Sequence, residues 1–180
     1  MRLSKIKAVV KRHGVCALVD VEPRGDENAA NLYRQWIGSR GGMYPVDAGV
    51  YLDAQAASTL MELNGDDIRF EQGSTAGEDP MGKALLYASV RIDGSALRDQ
   101  RIVELACGGE TYTLAKLEDG STAYMQSYLL EPCRRKWERL RMIRQGDAVA
   151  VYAGDDLTGV VGCLPTGDVE ELRTYLKEII

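Results

Sequence analysis

Thr122–Pro165 reads TAYMQSYLLEPCRRKWERLRMIRQGDAVAVYAGDDLTGVVGCLP, and its reading decides the fold. A β-prone run at Thr122–Met125 passes into the apolar Tyr128-Leu129-Leu130. Behind Pro132, Cys133, Trp137, Leu140 and Ile143 recur at helical spacing. That spacing predicts a helix packed through Trp137. Arg134 and Arg141 would lie on one flank, and Arg135, Lys136 and Arg139 on the other. A strand over Leu140–Ile143 is the alternative, and it would turn the arginines elsewhere. Two strands, Ala148–Ala153 and Val160–Leu164, close the unit around a GDDLTG turn.

Upstream, Ile102–Ala106 and Tyr112–Leu117 read as strands, with turn signals at Gly108-Gly109 and Asp119-Gly120. Ala84–Ile92 reads as a further strand, and Gln72–Gly82 has the composition of a linker. At the start of the chain, Ser4 is placed to cap a helix that turns Ile6, Val9 and Val10 inward and stops at Gly14. Val15–Val21 continues as a strand. Glu22–Asn31 reads as a polar loop, and Leu32–Ile37 with Met43–Val46 as a hairpin about Gly38–Gly42. Asp53 caps a helix from Ala54 to Asn64, ended by Gly65, and Ile68–Glu71 is a short strand. Asp168–Ile180 carries a capping box and an apolar helical stripe.

These elements predict an α+β fold, an antiparallel sheet-rich body with helices on one side. The linker divides it into two similar lobes, residues 1–76 and 77–180. Each runs from helix to strands joined by tight turns, without an exact repeat.

With 45% hydrophobic residues, the 180-residue chain can bury a core, and no apolar run is long enough to span a bilayer. Lysines interrupt the apolar positions of MRLSKIKAVVKRHG, so a signal peptide is not indicated and a cytoplasmic location is expected. Cys16, Cys107, Cys133 and Cys163 lie far apart among apolar neighbours, as reduced, buried thiols would. Net charge is −5, yet Arg134–Arg144 holds six basic residues and one acidic one. An acidic chain is a poor non-specific nucleic-acid binder, but one basic face can still hold phosphate.

Catalytic signals are missing. Asp66-Asp67 and Asp155-Asp156 fall at turns, where adjacent carboxylates serve turn chemistry better than acid–base work. His13, the sole histidine, falls at the end of the first helix, where the dipole favours a cation. The glycines around Arg40 lack a following helix and a P-loop lysine, and no G-x-S-x-G elbow occurs. No catalytic residue, metal or cofactor is therefore assigned. Arg134, Arg135, Lys136, Arg139, Arg141 and Arg144 are the candidate phosphate contacts. Trp36 and Tyr44, beside the first hairpin, are candidate partner anchors.

Gln35-Trp36-Ile37-Gly38, Gly42-x-Tyr44-Pro45, Tyr124-Met125-x-x-Tyr128-Leu129-x-x-Pro132 and Gly159–Pro165 resemble small proteins encoded in prophages of Gram-positive bacteria. A strand, then Tyr-Leu-Leu entering a helix, then two short strands ending at proline, is similar to the repeating unit of DNA sliding clamps. The resemblance implies a non-enzymatic clamp-like binding or scaffold protein that contacts duplex DNA or a replication-type protein. A lone unit would have to self-associate to encircle DNA. The alternative is a protein–protein module engaging host or phage machinery.

Overall fold

A computed structural model describes residues 2–21, 35–47, 49–64, 66–74 and 100–165. Helix α1, Leu3–His13, buries Ile6, Val9 and Val10 as their spacing requires. It begins before Ser4. Arg2 occupies the cap position and makes no side-chain cap bond, whereas Gly14 ends the helix at φ 67 as anticipated. β1 is Val15–Asp20, β2 Gln35–Ser39 and β3 Gly42–Pro45, the last two forming the expected hairpin. Helix α2, Ala54–Met61, is capped by Asp53, which accepts from Ala56 N at 2.7 Å. It stops at left-handed Glu62, so the helix is shorter than its apolar pattern suggests.

β4, Arg69–Ser74, uses the first residues of the expected linker and pairs parallel to β1. The rest of that linker, the strand at Ala84–Ile92 and the helix at Asp168–Ile180 lie outside the described residues, as does the loop at Glu22–Asn31. β5 is Ile102–Cys107, β6 Glu110–Lys116 and β7 Thr122–Gln126. β8 is Leu140–Gln145, β9 Ala148–Ala153 and β10 Asp156–Gly162. Among the described residues there are two helices and ten strands, a mixed α+β arrangement.

A seven-stranded sheet runs β4-β1-β2-β3-β10-β9-β8, and a three-stranded antiparallel sheet runs β5-β6-β7. All six residues of β9 are buried, as are three of the four in β3. Strands apolar on both sides belong in mid-sheet, where both edges are hydrogen-bonded. There β3 and β10 meet, pairing Met43 with Val160 and Gly42 with Val161. Residues from both sides of the expected 76/77 division therefore share one sheet. They also share one core, in which Ile6, Val9, Ala57 and Met61 join Met125, Leu130, Val149 and Val151. Both helices pack into that cluster, on one side of the large sheet. Trp36, Met43, Ala150, Tyr152 and Val160 form a second cluster from the alternate strand positions.

The basic segment is not a helix. Ser127–Leu130 forms a single 3-10 turn, residues 134–139 follow without regular structure, and Leu140 begins β8. Tyr128-Leu129-Leu130 thus does not enter an α-helix, and that part of the clamp-unit pattern is absent. The apolar positions satisfied two periods at once. Leu140 and Met142 also alternate at the strand period, and both are buried. Burial of the β8 side chains against β9 decided between them.

Gly38 is required where β2 and β3 close on each other, because a Cβ there would sit 2.1 Å from the Gly42 carbonyl oxygen. Gly38→Ala is expected to destabilise the fold by about 1–3 kcal/mol, the typical cost of overpacking. Urea unfolding measures it, and a midpoint equal to wild type would mean the hairpin can spread without cost.

Candidate functional site

The crossing from the 3-10 turn to β8 is pinned at both ends. Leu129, Leu130 and Cys133 are buried, and Cys133 N and Arg134 N both donate to the Leu130 carbonyl, at 2.9 and 3.2 Å. At the far end Leu140 is buried opposite Ala153. Between these anchors the chain bulges outward. Trp137 stands at its tip, 91% exposed, with φ 73. A non-glycine residue costs of order 1–2 kcal/mol in that left-handed region. The Lys136 ammonium lies 5.4 Å from the centre of the indole ring. Core packing accounts for neither the exposure nor the backbone conformation of Trp137.

The basic side chains do not form one open surface. Arg134 pairs with Glu104 and, at 3.1 Å, with Glu131. Arg135 pairs with Asp156. Arg141 reaches the Gly154 carbonyl and lies 3.3 Å from Asp155. Arg144 donates to the Thr122 carbonyl at 3.0 Å and approaches Cys163 Sγ at 3.5 Å. Arg141 stands opposite Tyr152 and Arg144 opposite Val149, so the two leave β8 on different faces of the sheet. Carboxylates distant in sequence therefore offset much of the local charge surplus. Spacing cannot reveal such partners.

Three of these residues, Arg134, Arg135 and Arg139, line a cleft of about 680 Å³ between the crossing and β5. Arg101, Glu104 and Glu138 line it too, with Ile102 and Leu140 supplying apolar walls. Gln100 fastens the approach to β5 onto the outer edge of β8. Its Nε2 donates to the Met142 carbonyl at 2.6 Å, and its Oε1 accepts from Met142 N at 2.7 Å. Sequence reasoning missed Gln100 and Arg101, since a lone polar residue before a strand carries no pattern.

Trp36 and Tyr44 are not surface anchors. They are 0% and 1% exposed, on opposite faces of the large sheet. The Tyr44 hydroxyl donates to the Leu129 carbonyl at 2.8 Å, and burial pushes its pKa well above 10. Asp155 and Asp156 sit at the β9–β10 turn, held by Arg141 and Arg135. Burial raises the thiols of Cys16 and Cys133 to about 11 and about 12, which makes them poor nucleophiles at neutral pH. Among the described residues no group of His, Cys, Asp and Glu is placed to hold a metal ion. Nor is any helix among them long and apolar enough to cross a membrane.

His13 ties three elements together. Its Nδ1 lies 3.2 Å from Ser39 Oγ and its Nε2 2.6 Å from the Tyr128 hydroxyl, which donates to Gln126 Oε1 at 2.9 Å. Ser39 is 2% exposed, so its hydroxyl braces the histidine and is not presented to a substrate. The helix-dipole expectation of a cation is corrected here: burial first, and then Arg12, lower the His13 pKa below 6.5.

Tyr44→Phe leaves the buried Leu129 carbonyl without its donor and is expected to cost about 1–3 kcal/mol in urea unfolding. A neutral effect would mean that the carbonyl finds another partner. The folded protein binds the His13 proton more weakly than the unfolded chain. The stability this contributes is complete above pH 6.5 and is lost as pH falls toward the lowered folded value. Wild type is expected to lose unfolding free energy just below pH 6.5, and His13→Gln to lack that component. Parallel pH profiles of the two proteins would contradict this. Compared with known proteins, the chain matches no protein-family model, no curated protein and no solved structure.

Proposed function

We propose that the chain is a non-enzymatic binding protein that docks a partner protein through the crossing at residues 134–139, with Trp137 as its anchor. The observation that carries this reading is a tryptophan 91% exposed in a left-handed conformation, on a segment whose ends are buried. Tryptophan and arginine dominate interface hot spots because one rigid side chain removes much apolar area from water. Burying roughly 200 Å² at about 25 cal/mol per Å² gives about 5 kcal/mol before association costs. The neighbouring ion pairs suit a polar rim around such an anchor. Cytoplasmic residence belongs to the same proposal, supported by the buried thiols of Cys16 and Cys133.

Contact with nucleic acid is the second reading, favoured by one arrangement. An exposed indole beside the Lys136 ammonium could stack an unpaired base next to a phosphate contact. A sequence-independent grip on duplex by all six basic side chains is less well supported, because carboxylates of the same molecule already pair Arg134, Arg135 and Arg141.

Trp137→Ala is expected to leave stability within about 0.5 kcal/mol, as for surface residues elsewhere. Partner affinity should drop by about 2 kcal/mol or more, roughly thirtyfold. Affinity capture with wild type and variant side by side tests this. A partner held equally by both, or by neither, would retire the reading. Oligonucleotide binding that weakens steeply with salt would move the assignment to nucleic acid.

A further inference from the structure

His13 ties the first helix to the turn that anchors the exposed crossing, and its hydrogen bonds have a direction. The Tyr128 hydroxyl donates to Gln126 Oε1, so the Tyr128 oxygen receives the His13 Nε2–H across 2.6 Å. Nδ1 of the neutral ring is then the acceptor for the Ser39 hydroxyl at 3.2 Å. A proton added at Nδ1 would point at that hydroxyl hydrogen, and Ser39 is buried. Among the described residues, the charged groups facing the ring are Arg12 on its own helix and Arg40 on the β2–β3 turn. Both oppose a further positive charge, as burial does, while a hydrogen bond with the Arg40 main chain favours it. Glu110 of β6 pairs with Arg12, whose guanidinium lies 4.1 Å from the centre of the Tyr128 ring. The neutral ring fits this network and the imidazolium does not.

We propose that protonation of His13 is a switch that frees the 3-10 turn from α1 and lets the crossing at residues 134–139 leave the conformation that displays Trp137. It regulates the docking site and so rests on that reading. The connection is continuous. The Tyr128 carbonyl accepts from Glu131 N at 3.3 Å, and the Leu130 carbonyl from Cys133 N and Arg134 N. Leu129 packs on the hairpin tip next to Ser39, where a Cβ on Gly41 or Gly42 would lie 3.3 or 3.2 Å from its methyl groups. Strain makes the crossing responsive. The left-handed backbone at Trp137 persists only while its surroundings enforce it. Its cost is of the same order as the net worth of one hydrogen bond, so losing one tie shifts the balance. The Tyr44 hydroxyl still holds the Leu129 carbonyl, which keeps the change local. The docking form is therefore the neutral-ring form, and the released form accumulates below pH 6.5.

Amide and imidazole NMR signals of the full chain test this from about pH 7.5 down to about pH 5, above the usual carboxylate range. The Trp137 and Lys136 amide signals are expected to move with the same midpoint as the His13 ring, below pH 6.5, while those of Val149 and Val151 in β9 stay fixed. In His13→Gln the crossing signals should not move over this range. In Tyr128→Phe they should already lie near the wild-type low-pH positions at neutral pH. The switch is overturned if Trp137 holds its position while His13 titrates, or if His13→Gln shows the same movement. Unfolding of β9 together with the crossing overturns it too, since the transition is then global. Tyr128→Phe signals equal to wild type at neutral pH would show that the tie does not hold the crossing. No partner is needed for these spectra. A failed switch leaves the docking reading standing, and failed capture by wild type and Trp137→Ala leaves the switch to be judged on the spectra alone.

Discussion

The pairing of β3 with β10 is the constraint from which the rest of the arrangement follows. It joins the first hairpin to the C-terminal strands and makes one sheet from both halves of the chain. Small residues permit it. Gly162 N donates to the Gly41 carbonyl at 2.7 Å, and a Cβ on Gly159 would lie 2.6 Å from Cys133 Sγ. From this seam the Tyr44 hydroxyl reaches the Leu129 carbonyl and holds the 3-10 turn. Cys133, packed on Gly159, then fixes where the exposed crossing begins. Tyr44 and Trp137 therefore have complementary roles. The buried aromatic positions the element on which the exposed one is displayed.

Charge is distributed by the same geometry. The basic segment is flanked by carboxylates from β5, the 3-10 turn and the β9–β10 turn, and these hold its arginines in place. Exposed pairs of this kind contribute little to stability, about 0–1 kcal/mol each. Their effect is on orientation: they spread guanidinium groups along a cleft and over both faces of β8. The protein is acidic overall, and its local excess of basic residues in the crossing and β8 is met by these carboxylates.

Most strands were legible because they carry period-2 or continuous apolar patterns bounded by glycine turns, as at β9 and the β2–β3 hairpin. Both helices were legible from the inward spacing of Ile6, Val9 and Val10 and from the Asp53 cap. The segment after Pro132 was not. Its apolar residues fit helix and strand equally, and Trp137 counted as a core position in the helical fit although it is the most exposed large hydrophobic side chain among the described residues. The candidate site was half visible. Arg134, Arg135 and Arg139 do border the cleft, whereas Gln100 and Arg101 gave no local signal.

By itself the sequence determined what short-range chemistry dictates: an α+β composition, the turns at glycine, the stop of the first helix at Gly14 and a local excess of positive charge. Tertiary structure decided which strands are neighbours, which carboxylates meet which arginines and which aromatic faces water. Those outcomes depend on pairings across many tens of residues, and a linear pattern does not encode them. A period-2 run specifies a strand with one apolar face. Only the competition among all such faces for burial assigns it a partner.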